Sequence, residues 1–221
     1  MEAMQELTKI IRDRRTRKPI HFRAPVEPSI IVRLLEDARH APNHHRTEPA
    51  RFYLLDPERI KQVGNLFGEV VSGFGKLPEL FDKADRKARE WGNAPGLLIV
   101  TSLTDRNSRL TQKNPRVIEE DCATVCCIVQ NLLLLFESSG ISAKWSTGPV
   151  WEHPNFATTV GLKNPKDERV VALLFYGLSD EQLSPRVLSP PRILSLGRPA
   201  RRRRTSLGHR FKAIMSNELS S

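Results

Sequence analysis

The 221-residue sequence predicts an α+β fold. Three observations carry this. The periodicities run helix, helix, strand, helices, strand, long helix, strands, which is not a regular βαβ alternation. The run at 94–103, "APGLLIVTSL", is continuous and β-branched enough to be a buried strand. Residues 115–139 repeat apolar side chains at three and four over the longest helical stretch in the chain.

The elements follow in order. Met4, Leu7, Ile10 and Ile11 predict an amphipathic helix over 3–14, stopped before Pro19. Pro28 suits a first helical turn, and Ile31, Leu34, Leu35 and Ala38 line one face of a helix over 28–40. The loop "APNHHRTEPARF" (41–52) leads into a strand read from "RFYLLD". Residues 57–91 read as two helical pieces broken near "SGFGKLP". In the helix over 115–139, Ile118, Cys122, Val125, Cys126, Val129, Leu132, Leu133 and Phe136 form one face, and Gly140 supplies the stop. Ala123, Ile128, Leu134 and Leu135 make its other face apolar too, which predicts burial by the domain or by a second subunit. Strands over 142–148 and 168–177 complete the set. A domain over 1–183 is expected, followed by a basic Pro/Arg/Ser-rich arm or tail over 184–221.

The net charge of +10 is unevenly placed: from Arg186 onward nine Lys/Arg face one Glu, leaving only +2 for the preceding residues. A nucleic-acid-binding reading would rest on "RRRR" at 201–204 alone, without interleaved aromatics or a recognition fold, and is set aside. No apolar run reads as the roughly 20 residues of a membrane span. The N-terminus lacks a signal-peptide pattern, so a cytoplasmic location is expected. Cys122, Cys126 and Cys127 have neither zinc nor thioredoxin spacing and are expected to be buried core thiols.

The chemistry narrows by exclusion. His44 and His45 are adjacent, and in a simple loop two neighbouring rings do not face one ion. No other histidine has ligand spacing to them, so no metal site is expected. There is no G-x-S-x-G elbow, Walker loop or G-x-G-x-x-G after a strand. What remains is a set of anion- and polar-ligand features. Arg14, Arg15 and Thr16 set two guanidinium forks and a hydroxyl where a helix ends. Trp145, Ser146 and Thr147 pair a large ring with two hydroxyls.

Together with three further segments, these motifs resemble the nitroreductase superfamily of FMN-dependent oxidoreductases, in its compact single-domain subgroup. "RRTRKPI" matches the family's R-R-S-type triplet, and "ARHAPNHHRTEPARF" its A-P loop before a Q-P-W-type ending. "NAPGLLIVTS" matches its A-P strand, "VQNLLLLFESSGISAKWSTG" its Q-N-L-x-L helix, and "RVVALLFYG" its closing strand. The resemblance covers residues 5–180.

It implies a mostly antiparallel central sheet flanked by helices, with the long helix at a homodimer interface and FMN bound between subunits. It further implies that Arg14, Arg15 and Thr16 contact the FMN phosphate and pyrimidine side, His44 and Glu48 the ribityl and ring edge, and Trp145, Ser146 and Thr147 the isoalloxazine. NADH or NADPH would donate hydride by a ping-pong route to a small electron-poor acceptor such as a nitroaromatic, quinone or enone. No catalytic side chain is required, because the flavin carries the chemistry. Two positions depart from the family: Glu48 replaces the usual glutamine, and Ala50 the usual tryptophan. They motivate an alternative, a non-reductase flavin-binding or specialised member that dehalogenates or processes flavin.

Overall fold

The structure, a computed structural model, describes residues 2–75, 78–184 and 186–193. Its helices are α1 (Glu2–Asp13), α2 (Pro28–Ala38), α3 (Pro57–Ser72), α4 (Pro78–Gly92), α5 (Arg109–Lys113), α6 (Val117–Ser138) and α7 (Phe156–Val160). The strands are β1 (Ala50–Leu54), β2 (Leu97–Leu103), β3 (Ser142–Ser146) and β4 (Glu168–Gly177). The strands form one sheet in the order β1-β2-β4-β3, every pair antiparallel. This is the expected α+β architecture. The short helices α5 and α7 are additions that no sequence period announced.

Alternation along the central strands sorts the core into two layers. Leu98, Val100, Ala172 and Leu174 pack against α2 and α6. Leu97, Ile99, Leu173 and Phe175 point the other way, toward Val63 and Leu66 of α3, Trp91 of α4 and Phe156 of α7. The backbones of α3 and α4 approach closely: a Cβ on Gly64 would lie 2.5 Å from the Gly92 nitrogen. Only glycine permits that contact.

α6 presents Val125, Val129, Leu132 and Phe136, all fully buried, to the sheet. Each such side chain contributes about 1.5–3 kcal/mol. By length (22 residues) and the mean hydropathy of its most apolar 18 residues (1.4) this helix is long and apolar enough to cross a membrane, contrary to the sequence reading, yet its apolar stripe is the core of the sheet layer. The faces also divide differently from expectation. Ile128 is core, Cys122 and Cys126 are half-buried, and Ala123, Cys127 and Gln130 are exposed. The cysteines are therefore free thiols on the helix flank, not core residues, because the described residues cover only one side of α6.

The chain divides into units of residues 1–185 and 186–221. Among the described residues, all helices and strands lie in the first. Residues 186–193 are exposed and without helix or strand, and the "RRRR" segment lies outside the described residues.

Candidate functional site

The first group of candidate residues gathers at the β3 edge. α1 ends at Asp13, with the Arg14 amide still bonded to the Ile10 carbonyl at 2.9 Å. The chain then turns extended: Thr16 forms a parallel bridge to Ala143, and the Arg17 amide donates to the Ala143 carbonyl at 3.1 Å. Arg14 and Arg15 are half-buried and Thr16 is exposed. The Arg15 guanidinium donates to the Ser184 carbonyl. Arg17 pairs with Glu137 in the last turn of α6 at 3.3 Å. Among the described residues, Arg14 has no such partner.

Along β3, Trp145 faces the α6 layer and donates its indole N–H to the Val171 carbonyl at 3.3 Å. The Ser146 hydroxyl is buried without a hydrogen-bond partner. Thr147 is exposed and borders a cavity of about 500 Å³ shared with Cys122, Cys126, Trp151 and Phe156. Beyond it, the position of a Cβ on Gly148 meets nothing within 4 Å. Lys144, which sequence reasoning passed over, is half-buried beside this edge. Its ammonium lies 4.0 Å from Glu90 and 6.0 Å from the Trp91 ring, and burial lowers its pKa. A lysine inside a strand between apolar residues was the available signal.

The second group lies at the β1 edge. Residues 44–46 form a single 3-10 turn in which His45 is left-handed (φ 63°), and Arg46 (φ 52°) and Glu48 (φ 47°) are too. Three such residues without glycine each cost about 1 kcal/mol or more, so something must hold the loop. Thr47 does so. Its hydroxyl donates to the Asp121 carboxylate, and its backbone amide donates to the Asn43 side-chain oxygen at 3.3 Å. Buried Asp121 also accepts from Thr104 at 2.7 Å. It sits near the N-terminus of α6, where the helix field favours an anion. Neither Asp121 nor its partners carried a sequence signal.

Glu48 is exposed, with Oε2 3.6 Å from Arg39 Nη2. Arg51 turns back to donate to the carbonyls of Glu48 (2.9 Å) and Ala50 (2.8 Å). Arg39, Arg46, Glu48, Ala50 and Thr124 border a cavity of about 680 Å³. His44 and His45 are exposed, their ring centroids 3.9 Å apart. Each offers a nitrogen within 4.8 Å of the other's and of a Glu120 carboxylate oxygen. The adjacency argument against shared ligation therefore fails here, because the left-handed His45 folds both rings to one side.

The two groups do not meet within one chain. β1 and β3 are opposite edges of the four-stranded sheet, about 14 Å apart at three strand spacings. Arg17 is tied to Glu137 and His45 faces Glu120, anchors about 25 Å apart along α6.

The profile of the Nitroreductase family matches residues 11–178. A candidate NAD(P)H nitroreductase of Bacillus subtilis (strain 168), YfhC, is 31% identical over 179 residues, covering 79% of this chain and 85% of that protein. Among solved structures, a nitroreductase-like family protein from Bacillus cereus superposes with a TM-score of 0.67 at 24% identity, covering 85% of this chain and 95% of its own. Iodotyrosine deiodinase, bound to FMN and 3-iodo-L-tyrosine, superposes with a TM-score of 0.61 at 20% identity, covering 88% and 99%. With the antiparallel sheet, the long core helix and a profile match spanning both candidate edges, the chain belongs to the nitroreductase family.

Proposed function

We propose that this chain is an FMN-dependent NAD(P)H oxidoreductase acting as a homodimer in the cytoplasm, with each flavin held between subunits. The observation that carries the proposal is the separation just described. The candidate cradle lies in two halves, on opposite edges of the four-stranded sheet about 14 Å apart. A two-fold axis would bring the β3 edge of one protomer against the β1-edge loop of its partner.

Two uncovered surfaces support the pairing. Met4, Leu7 and Ile11 of α1 are 68%, 52% and 52% exposed, an apolar stripe that none of the described residues covers. Ala123, Cys127 and Gln130 of α6 are exposed on the side turned from the sheet. Burying such faces is the main drive for obligate association.

The residues present fit the cofactor. The Ser146 hydroxyl, buried and without a partner among the described residues, has room for one from a bound group. Arg14 and Arg15 offer forked donors to a phosphate. Thr16 and Thr147 add exposed hydroxyls at either end of β3. His44 and Glu48 would close the partner's side. Bound FMN would supply hydride chemistry between NAD(P)H and an electron-poor acceptor, each using the same face in turn. The protein's share is to hold, orient and shield, with no side chain required to break a bond. Nitroaromatics, quinones and enones are the acceptor class.

A specific feature also favours a second reading, a dehalogenating or flavin-processing role. Glu48 and Ala50 give the 680 Å³ cavity a charge and an opening where the family has an amide and an indole. The test is direct. The purified protein should be yellow, release FMN on heating, scatter light as a dimer, and oxidise NADH or NADPH when a quinone or nitroaromatic is added. A flavin-loaded dimer inert toward both classes would favour the second reading. A monomer that retains flavin would end the shared-site model.

A further inference from the structure

We propose that His44, His45 and Glu120 form a binding site for a divalent first-row transition-metal ion, Zn²⁺ or a chemical neighbour, which clasps the 43–48 loop to the first turns of α6. The three side chains each bring one ligand atom to within 4.8 Å of the others. Two imidazoles and one carboxylate suit Zn²⁺, Co²⁺ or Fe²⁺, and leave a coordination position open. Ligands at 2.0–2.1 Å from a tetrahedral ion stand about 3.3 Å apart, so closure needs side-chain movements of about 1–2 Å. His45 and Glu120 are one-third exposed (33% and 38%) and have room for them.

A second observation points the same way. Glu120 Oε2 is shielded from solvent yet has no hydrogen-bond partner. Its nearest basic atom is His45 Nε2, at 3.9 Å, too far for a hydrogen bond. A carboxylate oxygen withdrawn from water without a donor calls for a cation or an ordered water. The supporting shell is in place: Asp121, next in the helix, fixes Thr47 and hence the loop that carries both histidines. Such outer contacts orient metal ligands.

The positive end of α6 disfavours a cation only weakly, and the left-handed His45 is already set by the loop itself. The site shares His44 with the flavin proposal and is compatible with it, since an imidazole bound to metal through one nitrogen still has an N–H to donate through the other.

Isothermal titration of the full-length protein with Zn²⁺ tests this. One equivalent should bind with a Kd of about 1 μM or tighter. Glu120→Gln and His45→Asn, the latter chosen because asparagine tolerates the left-handed region, should each weaken binding about tenfold or more. No binding up to about 100 μM would overturn the proposal. So would equal affinity in wild type and both variants, which would assign the ion to Cys122 and Cys126. Should either variant misfold, the Co²⁺ difference spectrum of the wild type decides: nitrogen–oxygen ligand-field bands support the site, and a thiolate charge-transfer band refutes it.

Discussion

The indole N–H of Trp145 donates at 3.3 Å to the carbonyl of Val171, the residue that the β2–β4 pairing skips. The register runs Val100 to Ala172 and then Thr101 to Val170, so a bulge takes Val171 out of that ladder. The adjacent strand answers with a side chain. Trp145→Phe keeps the packing against α6 and orphans this carbonyl. The expected cost is about 1–3 kcal/mol, measured as a lowered urea midpoint with an unchanged slope. An unchanged midpoint would mean that water replaces the indole.

Arg14 differs from its neighbour in having no partner among the described residues, whereas Arg15 is engaged by Ser184. In the proposed site, Arg14→Ala should therefore weaken FMN binding by one to two decades, about 1.5–3 kcal/mol, with little change in folding stability. Flavin fluorescence during reconstitution reads the affinity. Full occupancy combined with a lower melting temperature would make Arg14 structural.

Glu48→Gln removes a charge and keeps an acceptor oxygen. With Glu48 facing the flavin, its carboxylate opposes the anionic reduced form, so the variant should show a higher midpoint potential and faster reduction by NAD(P)H. At an effective dielectric near 20 the interaction is about 1–2 kcal/mol, or a few tens of millivolts for two electrons. The exposed Arg39, at 3.6 Å, places the expected shift at the lower end. Spectroelectrochemical titration resolves it. An identical midpoint in both fully loaded forms would mean that Glu48 answers to Arg39 or to solvent.

Tyr176 is buried beneath Gly96, and burial pushes its pKa up to about 12. The folded chain keeps this proton where the unfolded chain has lost it. Stability should then be insensitive to Tyr176 below about pH 10 and fall as pH rises from about 10 to about 12. Tyr53 is also raised, chiefly by burial, and contributes in the same direction. Tyr176→Phe should flatten part of the alkaline decline in urea midpoints. An equally steep decline in the variant would show that other groups cause it.

The parts of the fold that were legible in the sequence are those in which one period runs long enough to dominate. α6 repeats over 22 residues, and Pro28 and Pro57 open α2 and α3 at positions where proline is favoured. Helices α5 and α7 span five residues each, too few for a period to stand out, and both complete packing made elsewhere. The candidate site was legible only as residue types. Nothing in "NHHRT" announces a left-handed His45, since that conformation is held from outside by Asp121, 74 residues from Thr47. Cys127 was misjudged because periodicity reports that a helix face is apolar, not whether the chain has anything to place on it.

The dimensions of α6 bear on how this protein can vary. The helix is a fixed gauge between the anchor of Arg17 at Glu137 and that of His45 at Glu120. Exchanging one of its side chains alters a contact. Deleting one residue between those anchors shortens the gauge by about 1.5 Å and turns everything beyond by about 100°. Both halves of the proposed site would then be misphased, however conservative the residue removed. Length variation should accordingly be confined to stretches such as 186–193, which carry no helix or strand, while the stretch of α6 between Glu120 and Glu137 admits substitution but not insertion.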